Sequence, residues 1–420
     1  MQPDGYLATY DRLARTDPPA AQARLAGWLR TDWNELFGEL RFHRPVLVTP
    51  AFTLVTSYAD VLAVLSRPEV FTVDTYRAPM EAALGAPVML TRDGIPLHWR
   101  ERGLMQVMLA PEDVPAVRAL AGELAEQAVR DSDGDLDAVD ALFRGVPLKV
   151  CARYFGFPGP DERTLSRWSR AIMTDVTANL GGDPGVHAAS VAAGAEMMAY
   201  LRELVAERRA APGGAGVLGR LARTRLPGEL GFDDERVAVN TAGLLLGFVE
   251  NAAGSMTNAV RVLLDRPKQH AEAAEAARLD DPEPFDPYVW EALRFDPFLK
   301  MIVRYCACEH VLPSGTTVPA GRPVLAAVAS AMFDAGAVRH PGLFRTDRPE
   351  REYLHFGHGP HACVGVHPGR VVIAETVRRL MRRPGLCARG PVRRDRDVFP
   401  DAFHVRFDTV ASPTPVHEDA

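Results

Sequence analysis

The residues best suited to chemistry cluster near the C-terminus, in Phe356-Gly-His-Gly-Pro-His-Ala-Cys-Val-Gly365. Gly357, Gly359 and Pro360 predict a tight loop with special backbone angles that ends where a helix begins. A thiol at Cys363 would then meet the unsatisfied amides and dipole of that helix N-terminus, which favour a thiolate. A thiolate held by backbone amides suits an axial ligand of haem iron, whose sulfur charge must be tuned. His355, His358, His361 and His367 lie in the same stretch and raise a metal site as a rival. Zinc, however, usually takes four ligands with paired cysteines, a spacing these histidines lack. The third reading is a glycine-rich loop around an inert buried cysteine. From residue types alone, all three stay open.

Two further patterns bear charge. Glu291-Ala-Leu-Arg294 places an acid and a base side by side if the segment is helical. Farther upstream, Gly243, Gly247, Glu250, Asn251, Gly254 and Asn258 fall on one stripe of a helical pattern over 235–265. Each interior glycine costs about 1 kcal/mol relative to alanine, so three on one face need a reason. A flat macrocycle packed against that face is one reason, and close helix–helix packing is the other.

The elements that position these residues are mostly helical. Apolar spacing near 3.6 predicts helices over 97–109, 115–131, 190–210, 235–265, 286–296 and 367–383. Strand signals are fewer and cluster early and late, at 45–48, 52–55, 303–311, 318–325 and 404–407. The expected class is mainly α with a small β region (α+β), as one domain over 1–420 with a flexible tail at about 411–420. The stretch 209–216 reads as a surface loop, because dividing the chain there would separate the strands.

Composition excludes several classes. Hydrophobic residues at 47% and charged residues at 24% describe a globular chain rather than a disordered one. A net charge of −6 argues against nucleic-acid binding. The longest apolar run, Ala242–Val249, falls far short of the ~20 residues a bilayer needs, so no membrane association is expected. The first twenty residues lack the apolar core of a secretory leader. The 5 cysteines are odd in number and unpaired in spacing, which predicts a reducing, cytoplasmic setting.

The string F-G-x-G-x-H-x-C-x-G resembles the haem-thiolate signature of the cytochrome P450 family, and other landmarks of that family follow in order over roughly residues 40 to 410. The resemblance implies that fold, with haem b (iron protoporphyrin IX) held between the long central helix and the cysteine-loop helix. It makes Cys363 the axial thiolate ligand of the iron, with Phe356 and Gly365 in the same cofactor-binding loop. It implies that Glu291 and Arg294 lock with Arg348, and that His98, Arg102, Arg304 and His361 hold the haem propionates through charge-assisted hydrogen bonds. By position, the substrate pocket would include Gly247, Phe298, Lys300 and Phe403 beside the loop 74–92, with Lys300 and Asp296 as candidate anchors for a charged or hydroxylated substrate.

Departures from the pattern shape the functional expectation. The family usually carries an acid and a threonine on the central helix, which relay protons to the oxygen being activated. Here the matching positions are Glu250 and Asn251, so the acid is present and the alcohol is replaced by an amide, a poor proton relay. A second register, Ala253-Gly-Ser-Met-Thr257, leaves too few residues before Pro267 and ranks lower. Pro368 suggests a shifted or kinked start to the helix after the cysteine. The first expectation is a monooxygenase that oxidises a small molecule of secondary metabolism. Its electrons would come from a ferredoxin and ferredoxin reductase, docked near Arg100, Arg370, Arg378 and Arg379. The alternative keeps the haem without a reductase, as a peroxide-using oxidase or an isomerase or dehydratase. A zinc- or haem-binding protein without turnover is the third.

Overall fold

The computed structural model describes residues 5–179, 181–211, 216–228, 231–395 and 398–409. Three helices open the chain, α1 (Tyr6–Thr16), α2 (Pro18–Thr31) and α3 (Trp33–His43), followed by strands β1 (Val46–Val48) and β2 (Thr53–Val55). Next come α4 (Tyr58–Ser66), β3 (Phe71–Thr72), α5 (Asp74–Leu84), α6 (Pro96–Met108), α7 (Val114–Arg130) and β4 (Asp135–Asp137). The middle is helical: α8 (Gly145–Val150), α9 (Glu162–Ala178), α10 (Pro184–Ala210), α11 (Gly216–Arg223), α12 (Asp234–Leu264), α13 (Pro267–Ala277) and α14 (Asp286–Phe295). Strands β5 (Ile302–Cys306), β6 (His310–Val311), β7 (Thr317–Val318) and β8 (Arg322–Ala326) lead to α15 (Val328–Ala331). The chain closes with α16 (Val366–Met381), β9 (Cys387–Ala388) and β10 (His404–Arg406).

The six helical windows read from periodicity fall on α6, α7, α10, α12, α14 and α16. The strand expected over 303–311 is interrupted after Cys306, and the one over 318–325 is split into β7 and β8 by a turn with Gly321 at φ 80°. The tail 411–420 lies outside the described residues, as do 212–215 of the loop expected at 209–216, whose ends belong to α10 and α11.

The main sheet runs β1-β2-β8-β5-β3. Parallel pairing of Thr53 with Val324 and antiparallel pairing of Arg304 with Val324 bring the early and late strands together. That sheet places Arg304 on a central strand, buried.

Helix α12 sets the rest. Asp233 caps its N-terminus by accepting the Arg236 N–H at 2.9 Å. Its 31 residues are buried almost all round, as expected of a helix apolar on every face. By length and composition α12 would suffice to cross a membrane, but it is packed inside the protein against α10, α14 and α16. The kink expected at Pro368 does not occur. Helix α16 starts at Val366, Pro368 occupies its first turn, and the Gly369 N–H donates to Gly365 O at 2.9 Å.

Candidate active site at the cysteine loop

The loop forms because its glycines adopt left-handed angles. Gly357 has φ 72° and Gly359 has φ 73°, a region L-residues avoid. A Cβ on Gly359 would stand 2.4 Å from Leu65 O, so the loop also needs glycine to lie against the end of α4. The turn is closed by the Cys363 N–H donating to Phe356 O at 2.8 Å. Cys363 then lies three residues before the start of α16, just ahead of a helix as the sequence suggested.

The cysteine is free and accessible, yet burial raises its thiol pKa while the Gly365 amide and the Arg102 guanidinium pull it back. Its accessible side therefore opens onto internal space rather than bulk water. The thiolate expected from the helix N-terminus alone is not what the surroundings favour, because desolvation of the charge outweighs the nearby amide. A bound cation is what would drive the proton off. The thiol also borders a cavity of about 310 Å³ lined by Trp290, Tyr353, His355, Phe356 and Arg370 among others.

Across α12 the three glycines divide. Gly247 is accessible on an otherwise buried stretch, with open space where a Cβ would stand. Gly243 meets Val88 at 3.5 Å, and Gly254 receives the Phe298 ring at 2.2 Å from its would-be Cβ. Only Gly247 fits the macrocycle explanation, and Gly254 fits close packing. The lower-ranked register is excluded by burial, since Thr257 is enclosed and its hydroxyl donates to Ala253 O at 2.7 Å.

Asn251 lies one turn after Gly247 and donates its amide to Gly247 O at 2.9 Å. Glu250 departs from the expected open relay. Its fully buried carboxylate takes the Arg144 Nε at 3.0 Å on one oxygen and the Arg170 Nη1 at 3.3 Å on the other. Arg170 also reaches Asp401 at 3.2 Å and lies over the Phe399 ring. Neither arginine was foreseen, because 106 and 80 residues separate them from Glu250.

The charged lock is assembled as expected. Arg294 grips Glu291 at 2.8 and 3.0 Å, and Arg348 Nε reaches the same carboxylate at 3.0 Å. The Arg348 Nη1 continues to Glu352 at 2.9 Å, and the Tyr353 hydroxyl donates to Glu291 at 3.2 Å.

The four presumed carboxylate partners also converge. His98 is buried, its Nδ1–H donates to Met89 O at 3.0 Å, and its Nε2 has no partner. Its ring centroid lies 4.5 Å from that of His361, whose Nε2 meets Asp93 Oδ1 at 2.7 Å. Arg102 Nη2 donates to Ala362 O, tying α6 to the cysteine loop. Asp93 is the residue the sequence reading missed here; it also accepts the Val73 N–H at 2.8 Å.

The remaining pocket assignments are corrected. Phe298 is wedged between Gly254 and Phe399, with ring centroids 5.6 Å apart in the latter pair. Lys300 pairs with Asp296 at 3.3 Å and lies over the Trp33 ring, which satisfies its charge away from Gly247. Phe403 is enclosed in the core, its N–H bound to Asp137 at 3.0 Å. The arginine patch is also reduced. Arg378 and Arg379 are spent on Glu375, Arg370 pairs with Glu350, and only Arg100 stays fully exposed. Among the described residues no three His, Cys, Asp or Glu side chains converge as a metal site, which counts against zinc.

Comparison with known proteins points to one family and one fold. The family model for Cytochrome P450 matches residues 284–383. The erythromycin C-12 hydroxylase of Saccharopolyspora erythraea is 28% identical over 334 residues, covering 78% of this chain and 82% of the relative. The mycinamicin IV hydroxylase/epoxidase of Micromonospora griseorubida is 29% identical over 366 residues, covering 83% and 88%. Among solved structures, the ligand-free cytochrome P450 TbtJ1 superposes with a TM-score of 0.76 at 25% identity, covering 92% of this chain and 97% of that one. A mutant of P450 EryK in complex with erythromycin B gives 0.75 at 25%, covering 91% and 97%.

Proposed function

The chain belongs to the cytochrome P450 family and is a haem-dependent oxidoreductase of the monooxygenase type, and we propose that it hydroxylates or epoxidises a small molecule of secondary metabolism with electrons from a ferredoxin and its reductase. We place it in the cytoplasm, as a single domain over 1–420, with neither nucleic acid nor membrane as partner. The relatives named as hydroxylases of erythromycin and mycinamicin IV support the substrate class.

The residues present fit haem. The carrying observation is that Arg102 is tied to Ala362 beside Cys363, that His98 packs on His361 with its Nε2 unpartnered among the described residues, and that Arg304 is buried near Asp93 with no acid in ion-pair range among the described residues. A buried guanidinium without a carboxylate is costly unless an anion joins it. Cys363 would hold the iron, with Phe356 and Gly365 framing the thiolate. His98, Arg102, Arg304 and His361 would hold the carboxylates. When bound, haem supplies the activation of dioxygen and the oxidation of the substrate. Asn251, whose amide is anchored to Gly247 O, would keep its carbonyl oxygen for a water or a substrate hydroxyl. Glu291, Arg294 and Arg348 would hold the segment before the cysteine loop in place.

One observation favours the reductase-free alternative. With Glu250 closed by Arg144 and Arg170 and Asn251 in place of an alcohol, the usual acid–alcohol pair is absent from the accessible face.

The test compares two routes in the purified, haem-loaded protein against a panel of small molecules that includes erythromycin and mycinamicin precursors. One route supplies NADPH with a surrogate ferredoxin and reductase; the other supplies hydrogen peroxide alone. Product formed only with the redox proteins supports the monooxygenase reading. Product formed as readily with peroxide, and none with the redox proteins, would overturn it. A reduced carbon monoxide spectrum without the red-shifted thiolate band would sink both readings.

A further inference from the structure

The wall beside Arg304 holds a phenol that neither the sequence pattern nor the carboxylate partners named so far include. Tyr76 on α5 accepts the Val303 N–H at 3.1 Å on its hydroxyl oxygen. The oxygen is thereby oriented, and its own hydrogen is left to donate elsewhere. Arg304 leans on the same residue from the other side, donating Nη1–H to Val303 O at 2.9 Å. Tyr76 and Arg304 thus flank one stretch of β5, close enough for the guanidinium to lower the phenol pKa that burial raises.

The charges here are unbalanced. Arg304 is buried, and among the described residues it has no carboxylate within ion-pair distance. Asp93 is the acid close enough to act on it. Both Asp93 oxygens are already engaged, Oδ1 by His361 and Oδ2 by the Val73 N–H. With Asp93 turned to His361 and Val73 and beyond ion-pair distance, the buried guanidinium favours a second anion, and a hydroxyl hydrogen beside it is placed for that same anion.

We infer that Tyr76 is a further carboxylate partner of the haem, its phenol hydrogen donated to the haem carboxylate that Arg304 holds. The inference rests on reading Arg304 as such a partner. It also gives α5, which forms the first part of the 74–92 stretch read from sequence as a loop meeting substrate, a direct attachment to the cofactor.

The test measures how fast haem leaves the holoenzyme for a haem-scavenging globin, in wild type, Tyr76→Phe and Arg304→Gln. Each is loaded with native haem and, separately, with haem whose two carboxylates are methyl esters. Tyr76→Phe is expected to release native haem about tenfold faster than wild type, the scale of a hydrogen bond to a charged group. It is expected to release the ester at the wild-type rate. Equal release of native haem by Tyr76→Phe and wild type would overturn the inference. So would equal acceleration for both haems, which would mean that Tyr76 only braces Val303. Wild-type retention of native haem by Arg304→Gln would instead remove the reading of Arg304 itself.

Discussion

Asn251 Nδ2 and Gly247 O are 2.9 Å apart, one turn of α12 from each other, at the one accessible point of that stretch. The bond commits one amide hydrogen to the backbone and so fixes the orientation of the side chain. An alcohol in that place could both give and take a proton, whereas a neutral amide keeps its hydrogens. The identity of one side chain therefore bears on how this enzyme handles protons.

Asn251→Thr should leave the fold intact. On the same helix Thr241 and Thr257 donate their hydroxyls to the carbonyl four residues back, at 2.8 and 2.7 Å, so a threonine at 251 has a ready geometry. With a surrogate ferredoxin, product formed per oxygen consumed should rise several-fold in Asn251→Thr and fall in Asn251→Ala. If neither variant moves that ratio while both melt within a few degrees of wild type, Asn251 plays no part in oxygen activation.

The glycines of the helical core should respond in opposite ways. A Cβ on Gly247 meets no protein atom within 4 Å, so Gly247→Leu should fold but fail to take up haem, seen as a missing Soret band on a protein with native circular dichroism. Gly254→Ala drives its methyl into the Phe298 ring and should cost about 1–3 kcal/mol, because the ring must move within a packed core. Gly194→Ala should do worse, since its methyl would stand 2.0 Å from the backbone oxygen of Ala83, which cannot swing aside. Haem uptake by Gly247→Leu at the wild-type level would contradict the assignment of that face.

Glu291 carries two guanidiniums with its two oxygens. Glu291→Ala leaves Arg294 and Arg348 buried without their shared anion, a loss of about 3–5 kcal/mol. Most of the stability of an ordinary domain is of that size, so the expected outcome is little soluble holoprotein. Soluble expression and a denaturant melt decide it. A Glu291→Ala protein that binds haem and melts like wild type would show that the lock is dispensable.

The site was legible in sequence wherever its chemistry is local. The glycine angles of the cysteine loop and the Glu291–Arg294 pair follow from spacing within a turn or two of chain, whereas His98 and Arg102 came from the resemblance. Arg348 was found only through the resemblance. What stayed hidden depends on segments meeting in space. Arg144 lies in the π-helical stretch Val139–Arg144, whose irregular period hides which face it presents, and it meets Glu250 only through packing. Lys300 and Phe403 were assigned to the pocket by position along the chain, and side-chain direction overruled both. Lys300 turns to Asp296 and Trp33, while the pairing of β10 with the distant β4 holds Phe403 in the core.

His355 should make stability depend on pH. It is surrounded by Tyr353, Trp290 and Phe356, its Nε2–H donates to Trp290 O at 3.0 Å, and its Nδ1 has no partner. Desolvation is the main cause that brings its pKa down to about 4. In the unfolded chain an imidazole titrates at about 6.5. Below that pH the unfolded state takes a proton that the folded state refuses, so the folded state loses ground as pH falls. The contribution is intact above about pH 6.5, declines between about 6.5 and 4, and is spent below, a total on the order of 3 kcal/mol. His358 is displaced the same way by burial, so part of the slope belongs to it. His355→Gln keeps a donor for Trp290 O but cannot titrate. Urea melts of the two holoproteins from pH 7 to 4.5 should therefore diverge, with the variant losing less stability on acidification by up to one proton's worth of slope. Parallel curves would mean that His355 is protonated in the folded protein throughout this range, or neutral in both states.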